Sequence, residues 1–386
     1  MRRIWAFPLM MVLAIGVPQL VSAGWEEGVA AYKAGNLAEA ARQFQSVTEE
    51  HPEWPDGYFM LGQVLGKLKK NQEGLAASRK AYDLKPGDVR YQMQLGTAYL
   101  QSNRFRDAAQ LLSKIDESKL SAQQKKIYHQ SLAVALDKTG QSGAALGALK
   151  KAAQSSPNDA DAQFNYGATA FNAGKITEAI GALEKAVQLD GKDPAKRKAL
   201  VDALMRQGRQ TRGSSKASIY AKAATQAQAL VALKGTFDNF LKLGEAQLGG
   251  ARYADAIQSF NQAAAKNSGE WIPHFYIGQA STAKADYPRA EAALKKALGM
   301  QLSSENQNRV HKQLGFVYEK QKKYEAAVAS YERAGDSAGA TRVRENADIA
   351  KFNKEADKEA AEYDDLKRKE RELQEELKKL GSPPRF

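Results

Sequence analysis

The side chains best equipped for chemistry are four histidines, His51, His129, His274 and His311, and a glycine–lysine pair at Gly174 and Lys175. An imidazole can bind a metal ion or carry a proton near neutral pH. Three of the four stand four residues before a small residue: His129 before Ala133, His274 before Gly278 and His311 before Gly315. A glycine followed by lysine can close a phosphate-binding loop. Here Ile176 follows where Ser or Thr is required, and Gly167 lies too far upstream. The stretch from Gly167 to Thr177 therefore reads as an ordinary turn between helices. No serine, histidine and acid arrangement can be nominated. The chain has no cysteine, which excludes disulfides, thiolate catalysis and cysteine-ligated zinc. The sequence predicts no catalytic residue, no cofactor and no metal site.

The elements that would position these residues emerge when the small residues are aligned. Leu61, Gly62, Leu65, Gly74, Ala81 and Pro86 form one copy of a pattern. Leu95, Gly96, Tyr99, Ala108, Leu112 and Ile115 form the next, and Leu314, Gly315, Tyr318, Ala327, Tyr331 and Ala334 the last. Nine copies centre on Gly28, Gly62, Gly96, Ala133, Gly167, Val201, Gly244, Gly278 and Gly315, at spacings of 34, 34, 37, 34, 34, 43, 34 and 37 residues. A small residue inside one helix lets a second helix cross closely, and large residues such as Phe44, Tyr99, Phe260 and Tyr331 fill the remaining interface. Gly35, Gly140, Gly174 and Gly208 fall where the first helix of a copy should end. Pro52, Pro86 and Pro157 stop the second. The sixth copy is the weakest, with its second helix displaced beyond Gly213, Ser214 and Ser215.

This pattern resembles the tetratricopeptide-repeat family. The resemblance implies an all-α fold, a right-handed superhelical solenoid of about nine helical hairpins over residues 24–341. Equivalent positions in stacked hairpins are about 8–10 Å apart or more, too far for the histidines to share a metal ion. The resemblance also implies a concave groove lined by the first helix of each hairpin. Carried onto this chain, the lining comprises Trp25, Val29, Tyr32 and Lys33, then Phe59, Gln63 and Lys67, then Arg90, Met93, Leu100 and Gln101. It continues through Val134, Lys138, Phe164, Phe171, Asn172, Met205, Arg206, Leu241, Leu248, Phe275 and Phe316. Such a surface suits polypeptide segments, with apolar anchors supplying affinity and amides and cations fixing register. Family members that grip a C-terminal carboxylate use Lys, Asn and Arg on consecutive first helices. Asn165 and Asn172 share one copy here, and the next offers Lys198 and Arg206 without the matching asparagine, so that mode is not expected.

The two ends differ from the repeats. Arg2 and Arg3, the apolar run Ile4–Val17, and Val21, Ser22 and Ala23 have the order of a secretory signal peptide, placing the expected boundary after residue 23. The expectation is export, with the periplasm as the compartment. The formal charge of +13 becomes +11 without those two arginines, which favours acidic proteins or anionic envelope surfaces as partners over nucleic acid. The excess is concentrated between Gly191 and Lys234, where ten cations face only Asp193 and Asp202. Lys196, Arg197, Lys198, Arg206, Arg209, Arg212 and Lys216 make the candidate basic patch, expected on a mobile loop. An alternative function is docking on anionic lipid or cell-wall material through this patch. Residues 342–380 predict one charged helix that caps the stack, with a tail at 381–386. Its heptad seam runs through Ile349, Phe352, Ala356, Glu359, Tyr363, Leu366, Glu370, Leu373, Leu377 and Leu380, so it suits weak self-association, partner docking or a solitary solvated helix.

Overall fold

The computed structural model describes residues 23–379 and 381. The expected export segment up to residue 22, Leu380 on the seam, and residues 382–386 of the tail lie outside the described residues. Among the described residues all regular structure is helical, with no strand. The chain divides into two compact bodies, one ending at Gly191 and the other beginning at Lys192.

The first body pairs α1 (Ala23–Lys33) with α2 (Leu37–Glu50), α3 (Pro55–Lys67) with α4 (Asn71–Leu84), and α5 (Val89–Gln101) with α6 (Phe105–Leu112). It continues with α7 (Ala122–Lys138) and α8 (Ser142–Ser155), then α9 (Ala160–Asn172) and α10 (Ile176–Leu189). The second pairs α11 (Pro194–Gln210) with α12 (Ser215–Leu233), and α13 (Phe237–Gly249) with α14 (Tyr253–Lys266). It then pairs α15 (Ile272–Ala283) with α16 (Tyr287–Leu298), and α17 (Ser304–Lys320) with α18 (Tyr324–Arg333), and ends in α19 (Ser337–Lys379).

Six of the hairpins close around a glycine set against a large side chain. A Cβ added to Gly96 would stand 2.5 Å from Leu112 Cδ2, and one on Gly244 2.5 Å from Phe260 Cε1. The same sixteen-residue step joins Gly28 to Phe44, Gly167 to Leu183, Gly278 to Leu294 and Gly315 to Tyr331. The large partner lies against bare backbone, so the helix axes approach more closely than any side chain would permit. Where the first helix ends, one residue turns left-handed and the next amide reaches back across the turn, as Lys70 N–H does to the Leu65 carbonyl at 2.9 Å. Gly35, Gly140 and Gly174 take this conformation as expected. So do Lys69, Asn103, Ala251, Ala285 and Lys322, side chains for which it is strained, because the surrounding turn over-determines it.

The departures from a 34-residue step have distinct structural causes. After Gly96 the second helix is short, and a 3-10 turn at Glu117–Lys119 leads into a lengthened α7. That helix opens on a capping box: Ser121 Oγ accepts from the Gln124 N–H at 3.3 Å, and Gln124 Oε1 accepts from the Ser121 N–H at 2.9 Å. The 43-residue step does not produce the expected basic loop. The extra residues extend α11 and α12 to 17 and 19 residues, leaving only 211–214 between them. Gly208 consequently does not end a helix. It lies inside α11 against Tyr220, which is also met from the far side by Gly249 of α13.

The helix α19 starts at Ser337 and continues through residue 341 without a break. Gly339, Ala340 and Val343 are buried against the last hairpin, closing its apolar end as a terminal repeat must be closed.

Candidate protein-binding surface

First helices meet one another as well as their own partners. Helix α3 packs on α5 and α5 on α7 in the first body, and α11 on α13, α13 on α15 and α15 on α17 in the second. They thus form a layer of α3, α5 and α7 in the first body and of α11, α13, α15 and α17 in the second. Only some of the sequence-expected groove residues are open on these first helices.

The observed repeat geometry decides the family. Tetratricopeptide-repeat family models match residues 26–89, 131–194 and 241–306, and a second such model matches 310–335. The chain belongs to the tetratricopeptide-repeat family. The matched segments leave out 90–130, which contains most of α5 and the short α6, and 195–240, the hairpin with the lengthened helices. No curated protein sequence matches the chain. Among solved structures, a MamA segment from Desulfovibrio magneticus RS-1 is 19% identical, with a TM-score of 0.39 over 46% of this chain and 94% of that one. The C-terminal part of a repeat protein from Cytophaga hutchinsonii is 18% identical, with a TM-score of 0.47 over 63% and 95%. YrrB, described as a TPR protein with an unusual peptide-binding site, is 17% identical, with a TM-score of 0.37 over 61% and 97%. Likeness at these levels concerns the fold alone.

The tetratricopeptide-repeat layer sorts the expected groove residues into three groups. Phe59, Met93, Phe164, Phe171 and Leu241 are half-buried, with part of each side chain open to solvent, while Asn172 and Phe316 are exposed, the latter 40%. Trp25 and Tyr32 are half-buried but committed within the first hairpins. Trp25 packs on Phe44 and Trp54 with ring centroids 5.5 and 4.6 Å away, and Lys67 Nζ sits 4.4 Å above the Tyr32 ring. Leu100 and Phe275 are corrections: they are 4% and 5% exposed and belong to hairpin cores. Leu100 clusters with Ala135 on the next first helix, and Phe275 lies with Val310 and Leu314. Met205 is buried too, at 5%.

Charge in this layer is largely organised internally. Arg90 Nη1 donates to Asp56 Oδ1 at 3.1 Å, linking α5 to α3, and its Nη2 donates to Asp88 Oδ2 at 2.8 Å. Asp56 also accepts from the buried Tyr91 hydroxyl at 2.9 Å. Burial and this hydrogen bond both push the Tyr91 pKa up, so the phenol stays a donor. In the second body Lys242 bridges to Asp202 across α13 and α11. Beside them, burial lifts the Glu245 carboxyl above its ordinary range, against the pull of Lys242 and Arg209.

The expected basic patch is only partly a surface. Lys198, Arg209, Arg212 and Lys216 are exposed, and Arg197 and Arg206 are half-buried. Lys196 is a correction: it is 4% exposed, and its ammonium donates to Asp193 Oδ2 at 2.9 Å. Arg197 Nη1 donates to Gln226 at 2.6 Å, tying α11 to α12.

His129 and His274 are buried at their hairpin interfaces and His311 partly so, and burial lowers the pKa of all three. Among the described residues no group of three His, Asp or Glu side chains could hold a metal ion. The repeat fold of this chain is a binding fold, not a catalytic one. Sequence reasoning overlooked Trp271, Tyr276 and Arg309. The Arg309 guanidinium lies 5.9 Å from the Trp271 ring and 5.3 Å from that of Phe275, and Tyr276 stacks on Phe260 at 5.1 Å. Arg309 stands six residues before Gly315, as Arg90 does before Gly96, so the repeat register itself held the signal.

Proposed function

We propose that this protein is a scaffold or assembly factor of the bacterial envelope that binds polypeptide segments along its first-helix layer. The observation that carries the reading is the set of open apolar side chains on first helices, the half-buried Phe59, Phe164 and Phe171 in the first body and, in the second, the half-buried Leu241 and the exposed Phe316. An apolar anchor that is half-covered by its neighbours is already held in place, so a partner that completes its burial orders little on binding. Asn172 and the exposed cations around it supply hydrogen bonds that would fix a segment's register. The envelope assignment, with the periplasm as compartment, rests on the basic then apolar order of residues 2–23.

Changing Phe164 and Phe171 together to Ser tests the reading. A partner captured from envelope extracts and then identified should bind the double variant at least tenfold more weakly, as expected when two anchors of roughly 1 kcal/mol or more are lost. Helical content should stay near normal. Undiminished binding by a folded variant would remove this hairpin from the interface. Salt separates the alternative reading: release of the protein from envelope material by high salt, with no protein partner retained, would favour docking through Lys198, Arg209, Arg212 and Lys216.

A further inference from the structure

Beyond Val343 no described residue of α19 is buried. Residues 344–379 therefore form a helix roughly 50 Å long at 1.5 Å per residue, with nothing covering its sides. Yet it carries large apolar residues along one seam. Ile349, Phe352, Tyr363, Leu366, Leu373 and Leu377 are each 58–70% exposed. They recur in steps of three and four, the spacing of positions a and d in a heptad. Elsewhere in the chain, side chains of this size are mostly covered.

The charges beside the seam determine what fits it. Between Arg344 and Lys379 there are twelve acidic and ten basic side chains, so an anionic lipid surface gains nothing by approaching. One flanking row is Asp348, Glu355, Glu362, Lys369 and Glu376, and the other is Asn353, Ala360, Lys367 and Gln374. In a parallel, in-register pair each member of the first row faces the second-row residue five positions further along the other copy. Glu362 then meets Lys367, while Asp348, Glu355 and Lys369 meet Asn353, Ala360 and Gln374, but on the seam Glu359 and Glu370 each face the same carboxylate of the second copy. Over the last two heptads antiparallel pairing instead sets the first row against itself, so that Lys369 of each copy meets Glu376 of the other. Glu370 lies on the seam, and antiparallel pairing sets it against Leu373 of the second copy rather than against a second Glu370. Such a polar seam residue fixes register at a cost in stability. Glu359 has no such neighbour, which confines the strong contact to the stretch after it.

We propose that α19 pairs with α19 of a second copy of this chain, antiparallel, over residues 363–379. The contact is short and interrupted by Glu370, so it makes a weak, concentration-dependent dimer that is independent of what the first-helix layer binds.

Sedimentation of the full chain over a range of concentrations provides the test. The average mass should climb toward that of a dimer. Leu366→Ser with Leu373→Ser should hold the protein monomeric with unchanged helical content in the repeats, since neither residue supports the fold. Glu370→Leu should tighten association on the order of tenfold, because an apolar side chain replaces a charge taken out of water. Leu366→Cys mixed with Leu377→Cys, each the only thiol in a chain with no cysteine, should crosslink to one another under mild oxidation, and neither to itself. A single monomer mass at every concentration overturns the proposal, as does a dimer that survives the double serine variant. A dimer in which Leu377→Cys crosslinks to itself and not to Leu366→Cys overturns the antiparallel register. Binding to anionic vesicles that the serine variant abolishes, without self-association, would reassign the seam to a membrane.

Discussion

Gly96 and Leu112 are in direct apposition: the leucine side chain occupies the space a β-carbon would need, 2.5 Å from Cδ2 and 2.8 Å from Cγ. The α5–α6 hairpin is therefore closed by the absence of one group and the presence of another, sixteen residues apart.

Gly96→Leu should overpack this crossing and destabilise the protein by roughly 1–3 kcal/mol or more. Gly147 and Gly181 serve as controls, because both are exposed inside helices with nothing within 4 Å of an added Cβ. Changing either to Ala should stabilise by about 0.5–1 kcal/mol, since alanine holds a helical backbone at lower entropic cost. Thermal melts followed by circular dichroism would read opposite signs; equal effects at the two kinds of glycine would contradict the close crossing.

Glu291 couples α16 to the next hairpin. Burial raises its carboxyl pKa, but hydrogen bonds from Lys295 at 2.7 Å and Lys323 at 2.9 Å outweigh that and hold it at about 2, below the ordinary 4.5. A carboxylate with a depressed folded pKa contributes its full stability above 4.5 and loses it as pH falls through about 2. The two lysines are 57% and 52% exposed, so solvent screening reduces the contribution to about 1 kcal/mol. Glu291→Gln should lower stability by that amount at neutral pH and flatten the acid limb, as urea titrations at stepped pH would report.

His129 should give the same sign at higher pH. Its ring is 2% exposed, burial holds its pKa below 6.5, and the Glu117 carboxylate 3.5 Å away opposes this only in part. Below 6.5 the unfolded chain takes up a proton that the folded chain refuses, so stability falls as pH falls toward the folded value. Nδ1 is buried without a hydrogen-bond partner, so His129→Leu forfeits no bond there. It should reduce the slope below 6.5 while leaving stability at pH 8 within about 1 kcal/mol. A slope identical to wild type would mean the ring is accessible to protons in the folded state.

The repeat was legible because its physical requirement is local and recurrent: one small residue, one large residue sixteen further on, and a turn. The lengthened sixth hairpin was not, because excess residues between two anchors can extend helices as readily as form a loop. Polarity around Gly213 suggested the loop; packing of Tyr220 between Gly208 and Gly249 favoured the helices. The capping box at Ser121 and Gln124 was written in the sequence and passed unread. Misplacement of Leu100 and Phe275 has another origin. A stripe on a helix specifies direction but not depth, and where adjacent first helices touch, the neighbour covers residues that point toward the groove. Lys196 shows the same limit for charge, since its long apolar stem permits burial when Asp193 stands one turn back.

The preference of each helix for its nearest neighbours along the chain also bears on how the native state is reached. Within each body the substantial contacts join consecutive helices or alternate first helices, so no large loop need close before stabilising contacts form. Low contact order of this kind favours rapid formation of each local unit. Any hairpin can serve as a nucleus, and structure then spreads outward from it in both directions.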